Sequence, residues 1–519
     1  MQQTPFISIL RPPAVVSKWS DAAPLTPPLG IAYVTASLIS AGYKAEIVDA
    51  IGEAPQKVSM IFDGRAFAIG LTGPEIVAKV SPDVNFIGIS CTFSHDWPLV
   101  IDLLRAARER FPNAPIIGGG EHFTAMPEFC LQDCPELDVC VLGEGEETMK
   151  ELIEAMRNDQ DLHTISGIAF RNKEGRIVIN PRRGRIRAID DIPAPSWQLT
   201  PLDNYLNMGL SFGVNLGRTV PVLATRGCPY QCTFCSSPTM WTTKWTARDP
   251  KLMLDEIEGY MKKYGATNFD FYDLTMIVRR DWILKFTEMI KERGLKFTWQ
   301  LPSGTRSEAI DREVSRALFT TGCRNISYAP ESGSEKELIR IKKKVKIGPM
   351  LKSMRGAFLE GLNIKCNIIV GFPDETRSDV FKTLLLLVRM AIVGVHDVSI
   401  SMFSAYPGSE LFTELSKRKV IPRLDHGFFI SLTTYKDISS SVNWCNTLSP
   451  KELGRYRLIG YMLFYGINYT VRPWRVVQTI FNVWNRKETS RLDKSLIAFV
   501  DRMKAQKKEE SGAAALQPA

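Results

Sequence analysis

Three cysteines in the stretch Ala224-Thr-Arg-Gly-Cys-Pro-Tyr-Gln-Cys-Thr-Phe-Cys235 stand at C-x3-C-x2-C spacing, as Cys228, Cys232 and Cys235. That spacing lets one short loop present three thiolates to one neighbourhood. Thiolate sulfur is a soft ligand that suits iron–sulfur clusters and zinc. Three ligands on a four-iron cluster leave one iron open for chemistry. A structural zinc site would be closed by four ligands, and no fourth Cys or His lies nearby in the sequence. A cluster is the expected occupant, with zinc as its alternative. Cys130, Cys134 and Cys140 form a second group, which reads as buried thiols: the first two can share a helix face and the third falls within a strand pattern.

The elements around the loop give it a setting. Before it, short apolar runs alternate with helical patterns: strands at Phe6–Leu10, Lys44–Val48, Asn85–Ser90, Pro115–Gly118 and Asp138–Leu142, with helices near Leu29–Ser40, Trp97–Arg110 and up to Arg157. This alternation predicts a doubly wound parallel α/β sheet of Rossmann-like type over residues 1–195, with ligands at the carboxyl ends of the strands. The pair Gly167–Phe170 and Arg176–Ile179 reads as a hairpin, and the Pro-rich stretch from Asp190 to Trp197 as a linker. From Pro221 six strand–helix units follow, with strands at Pro221–Arg226, Asn268–Tyr272, Lys296–Gln300, Asn325–Ala329, Ile364–Val370 and Asp397–Phe403. They predict a partial (β/α)6 barrel over 196–426, with its active site at the carboxyl ends of the strands. The cysteine loop follows the first of these. A helical C-terminal domain is expected over 427–519, ending in a polar stretch from Lys504 to Ala519.

The loop and its flanks resemble the radical S-adenosylmethionine (SAM) superfamily. The run of Pro27-Pro-Leu-Gly-Ile-Ala, Gly118-Gly-Gly-Glu-His and Gly143-Glu-Gly-Glu ahead of it resembles the cobalamin (B12)-binding domain of class B members. These include methylases of unactivated carbon, lipid methylases and the anaerobic Mg-protoporphyrin ester cyclase. The resemblance implies a 4Fe-4S cluster on Cys228, Cys232 and Cys235, SAM on the open iron, and cobalamin in the N-terminal domain. Carried over by position, Phe234, Asp273, Glu331, Ser332, Gly371 and Phe372 are the SAM-binding candidates. The cobalamin candidates are Leu29, Gly30, Ser90, Thr92, Ser94, Gly119, Gly120, His122, Gly143, Glu144 and Gly145. The loop after the second strand, Asp49-Ala-Ile-Gly-Glu-Ala54, lacks the histidine that mutase-type domains place there, so no lower cobalt ligand is expected from it. The implied reaction is radical methylation of an unactivated carbon, because an sp³ carbon is no nucleophile. Cyclisation or oxidative rearrangement without net methylation is the alternative. No catalytic acid or base is singled out.

Composition narrows the setting. The chain has 519 residues, 45% hydrophobic and 23% charged, as in globular proteins. Ten cysteines without a basic signal segment suit a reducing cytoplasm. Net charge is 65 − 56 = +9, and from Lys451 onward the balance is 13 − 6 = +7. The tail from Leu458 to Val471 is uncharged and flanked by arginines and aromatics, which fits a helical cap over the barrel and also an interfacial helix on an anionic membrane. The run Arg340–Lys346 reads as a solvated face, and no nucleic-acid module is present in the pattern. Expected partners are a small-molecule substrate, lipid-like or polycyclic, and an external one-electron reductant of flavodoxin or ferredoxin type.

Overall fold

A computed structural model describes residues 4–18, 25–421, 423–437 and 441–514. The last five residues of the expected polar end lie outside these, and its earlier part continues a helix, Arg491–Ala514.

The N-terminal unit is a seven-stranded sheet. Five strands (Lys44–Asp49, Phe6–Arg11, Phe86–Ser90, Ile116–Gly119, Val139–Val141) are mutually parallel in that spatial order. The hairpin Ile168–Arg171 and Ile177–Ile179 joins their edge antiparallel, so the sheet is mixed. Phe86–Ser90 and Val139–Val141 are buried apolar runs, as helices on both faces require, whereas the edge strand Lys44–Asp49 is buried only in its second half. A small antiparallel sheet of Ala14–Ser17, Ala66–Ile69 and Val58–Ile61, not among the strands expected from the sequence, lies beside the larger one. Segment 202–207, beyond the linker, packs back on the first sheet. There Tyr205 donates to Asp49 at 2.6 Å and Asn204 to the Gly52 carbonyl at 2.8 Å.

The second unit is six parallel strands in sequence order: Thr219–Val222, Asn268–Phe271, Thr298–Thr305, Cys323–Glu331, Asn363–Val370 and Asp397–Met402. First and last do not pair, so the barrel is open and its sixth strand has a bare edge. The C-terminal helix Pro450–Val471, started by Pro450 and a Ser449–Glu452 capping box, covers that edge. Arg457 donates to the Ile400 carbonyl at 3.0 Å, and Tyr461 accepts from the Ile400 N–H at 3.0 Å. Farther along, Asn468 and Arg475 bind the Val395 carbonyl at 2.8 and 2.9 Å, and Arg472 binds that of Ala391. This helix therefore seals the side of the barrel, not its mouth. Three of the tail's basic charges, Arg457, Arg472 and Arg475, are buried on backbone carbonyls. Burial pulls Arg475 down to about 10.

Candidate active site between two cavities

All ten cysteines are free, and the three of the loop are the only ones not buried. Cys228, Cys232 and Cys235 line one cavity of ≈ 450 Å³ at the carboxyl ends of the barrel strands. Among the described residues no group of three His, Cys, Asp or Glu side chains is arranged around a single ion. The thiolates of a four-iron cluster each take a different iron, so they need a shared volume and not one point of convergence. The donor set fits a cluster in that sense. Cys130, Cys134 and Cys140 are fully buried, as expected, and burial pushes the Cys134 thiol up to about 12.

Beside the thiolates stand two cations. Lys343 pairs with Glu331 at 2.8 Å, and Arg306 stacks 3.8 Å from the Tyr230 ring centre. Burial raises the Cys232 thiol, and both cations oppose that rise. Glu331 has φ +65°, a conformation rare outside glycine, held by its place at the strand end and by Lys343.

The other SAM candidates divide. Phe234 and Glu331 line this cavity. Phe372 is buried behind Phe234, ring centres 5.7 Å apart, and builds the wall at one remove. Gly371 donates its N–H to Glu375 at 2.6 Å, and Ser332 faces Thr383 at 3.2 Å, both away from the cavity. Asp273 is buried, accepts hydrogen bonds from the Ala224 N–H and the Thr225 hydroxyl, and is pushed up to about 6 by burial. It braces the chain entering the cysteine loop. Lys343, in a run read as solvated, has only a tenth of its side chain exposed. Nothing in Lys-Lys-Lys distinguishes the residue that turns inward.

A second cavity of ≈ 340 Å³ lies at the carboxyl ends of the N-terminal strands. Leu29, Gly30, Ser90, Thr92, Gly119, Gly120, Gly143, Glu144 and Gly145 line it, nine of the eleven cobalamin candidates. A Cβ on Gly30 or Gly119 would meet no atom within 4 Å, so glycine there keeps the wall flat and open to a large ligand. The residues present thus fit a corrin face. Ser94 and His122 do not line it. They face each other at 2.9 Å in the core, with His122 packed 4.9 Å from Trp97 and 5.6 Å from Phe429. Glu144 touches the cavity, but its carboxylate is taken by Arg185 at 2.7 Å and Arg226 at 3.1 Å.

The placing of His122 makes a pH prediction. Burial pushes its pKa down to about 3, against about 6.5 in the unfolded chain. Between those values the unfolded state binds more protons, so this group lowers stability as pH falls from about 6.5 toward 3. Denaturant unfolding of H122F is expected to lose less stability over that range than wild type. Parallel pH profiles would remove His122 from its assigned place.

The two cavities share a partition. Cys235 and Ser237 line the first, and Met240 and Trp241, at the end of the short helix Ser237–Trp241, line the second. From Ser237 to Trp241 the helix advances four residues, about 6 Å at about 1.5 Å rise per residue. Arg182 and Arg185 of the N-terminal unit donate to the Thr239 and Trp241 carbonyls and hold that helix.

Residues 20–153 match the B12 binding domain, and residues 222–387 match the Radical SAM superfamily. An uncharacterized methyltransferase of Pyrococcus horikoshii is 30% identical over 389 residues, covering 74% of this chain and 78% of that one. The anaerobic magnesium-protoporphyrin IX monomethyl ester cyclase of Cereibacter sphaeroides is 28% identical over 398 residues, covering 75% and 60%. Among solved structures, the cobalamin-dependent SAM radical enzyme OxsB, with aqua-cobalamin and SAM bound, superposes with TM-score 0.66 at 14% identity, covering 100% of this chain and 82% of that one. The chain belongs to the cobalamin-binding radical SAM enzymes, whose cofactors are a 4Fe-4S cluster, SAM and cobalamin.

Proposed function

We propose that this enzyme methylates an unactivated carbon of a small hydrophobic or natural-product substrate held where the two cavities meet. The observation that carries the reading is the helix Ser237–Trp241, which brings a thiolate-lined cavity within one or two helical turns of a glycine-walled one. When bound, the cluster and SAM supply hydrogen-atom abstraction, and cobalamin supplies methyl transfer. Cys228, Cys232 and Cys235 would hold three irons. Lys343 and Arg306 stand to offset the cluster's negative charge and to receive the SAM carboxylate. Phe234, backed by Phe372, gives the adenine an aromatic wall. Gly30, Gly119 and Gly143 would leave room for the corrin. The electron comes from an external reductant.

The cyclase relative supports a second reading, radical cyclisation or rearrangement without net methylation. Product analysis after anaerobic reconstitution separates them. Methylation gives S-adenosylhomocysteine and 5′-deoxyadenosine in near-equal amounts, and cyclisation gives 5′-deoxyadenosine alone. Protein that cleaves no SAM under reductant defeats both.

Peripheral membrane contact and a lipid-like or polycyclic substrate belong to the same reading. No helix among the described residues is long and apolar enough to cross a membrane. In the helix Trp474–Trp484, however, polarity is inverted: Arg475 and Asn482 are buried, while Trp474, Val477, Ile480, Phe481 and Trp484 are exposed, Trp484 by 86%. An apolar stripe of this kind supports docking at a lipid surface. Because the neighbouring arginines are spent on carbonyls, flotation with neutral phosphatidylcholine vesicles should capture the protein almost as well as anionic ones do. W484S/F481S should lower capture severalfold, and unchanged capture would defeat the contact. Ten free thiols fit a reducing cytoplasm.

A further inference from the structure

The cavity at the cysteine loop continues down the barrel, and its lining changes. The inward side chains of the fifth strand are Asn363, Lys365, Asn367 and Ile369, and those of the sixth include Ser399 and Ser401. Lys365 lies five residues before Val370 at the strand end, about 16 Å down at ~3.3 Å per residue. At that depth Arg491 enters from outside the barrel. It is the first residue of the helix Arg491–Ala514. Asp493 accepts from the Thr489 and Ser490 N–H groups, and Lys494 donates to the Gly213 carbonyl at 2.9 Å, which together fix the helix start in the barrel floor.

The Arg491 guanidinium packs 5.4 Å from the Phe212 ring. Phe212 meets Tyr272 edge-on at 5.9 Å, and Tyr272 lines the glycine-walled cavity. Arg491 and Phe212 line the cysteine cavity, and Tyr272 stands behind Phe212 on the other side. Among the described residues no hydrogen bond or ion pair engages its guanidinium. Three carboxylates face it, Asp270, Asp397 and Glu488, and each is already served by another donor. Asp270 accepts from the Gly213 N–H at 2.7 Å, Asp397 from the Tyr465 hydroxyl at 2.6 Å, and Glu488 from the Asn215 N–H at 2.7 Å. They offset the charge without closing the fork of N–H donors. None of the three lines the large cavity, where the charged side chains are Arg306, Lys343, Lys365 and Arg491 against Glu331 alone. Just below, in a pocket of ≈ 20 Å³ that shares Lys365 and Arg491 and is also lined by Asp397, the Asn325 amide nitrogen is buried without a partner. The Arg491 fork and the Asn325 amide are donors without acceptors in a desolvated place, which is costly unless a ligand supplies the acceptor.

We propose that Arg491, with Lys365 beside it, forms a subsite for an anionic group of the substrate, a carboxylate or phosphoryl, with Phe212 of the same cavity against the substrate's body. The depth at which such a group is anchored sets which carbon can reach the strand ends, so Arg491 is a specificity-determining residue. The inference rests on the reading of this cavity as the place of reaction.

The test uses the full chain loaded with cluster, cobalamin and SAM under anaerobic conditions. Phenylacetate and phenylacetamide, alike in shape and different in charge, are titrated by calorimetry. Wild type is expected to bind the acid at least about tenfold more tightly than the amide. The ratio should fall to about one in R491M, recover in part in R491K and shrink in K365Q. A ratio is read because general damage lowers both affinities alike. If R491M does not fold, R491K and K365Q carry the comparison. Equal affinities in wild type, no saturable binding of either probe, or an undiminished ratio in the variants overturns the subsite. SAM cleavage by the same wild-type preparation reports separately on the reaction. Cleavage without discrimination keeps the reaction and loses the subsite, and discrimination without cleavage does the reverse.

Discussion

Cys232→Ala is expected to abolish the visible thiolate-to-iron absorption of the reconstituted protein and to lower reductive SAM cleavage by at least about 10³-fold, equivalent to about 4 kcal/mol of transition-state stabilisation. Among the described residues Cys228, Cys232 and Cys235 are the only cysteines lining the cavity, and the Met402 thioether there is neutral and cannot replace a thiolate. The control is Cys130→Ala. That thiol is equally a cysteine but fully buried in the N-terminal core, so its loss should cost about 1 kcal/mol of stability and leave the absorption band intact. A band that survives C232A, or disappears in C130A, would reassign the cluster ligands. The comparison also separates ligation from folding, because both variants are read for absorption and for unfolding in the same samples.

Much of the architecture was legible because its signals are local. Central strands such as Phe86–Ser90 and Val139–Val141 are continuous apolar runs, and Leu29–Ser40 and Trp97–Arg110 have the bounds expected of them. Nine of the cobalamin candidates share one cavity because strand-end loops of a parallel sheet converge by topology. His122 failed for a complementary reason: a strand-end position does not say whether the side chain turns to the cavity or, with Ser94, to the core. Asp273, Ser332 and Gly371 have the right positions along their strands, yet their polar groups are occupied in holding the loops. The cap expected from the C-terminal helix became an edge cover, since an open barrel leaves the Asp397–Met402 backbone unpaired and the sequence does not state which gap a helix fills. One readable signal went unused. The alternation Asn363-x-Lys365-x-Asn367 and Asp397-x-Ser399-x-Ser401 marks a polar lumen by its period of two.

The second large effect concerns Arg226, two residues before Cys228, which the sequence reading treated as strand. Its guanidinium donates to Glu144 at 3.1 Å and to Glu146 at 2.6 Å, and all three side chains are buried. Both carboxylates belong to the loop and helix start that line the glycine-walled cavity, so one arginine ties the cysteine loop to the N-terminal sheet. Their field raises the Arg226 pKa despite burial, and the group stays charged throughout the working range. Arg226→Met would leave Glu146 without its cation and Glu144 with Arg185 alone. Breaking one side of a buried ion pair costs about 3–5 kcal/mol, because a desolvated charge remains. R226M is therefore expected to unfold at lower denaturant by that amount and to lose SAM cleavage as the loop drifts from its partition. The next residue permits no easy repair: Gly227 has φ +85°, and a Cβ there would fall 2.1 Å from the Lys244 carbonyl oxygen. Partial rescue should come from the other side. Adding Glu146→Leu to R226M removes the orphaned carboxylate, and the double variant should regain a substantial part of the lost stability. If R226M costs under about 1 kcal/mol, or E146L adds to the damage, the arginine is a surface-like contact and the two cofactor cavities are held in register by something else.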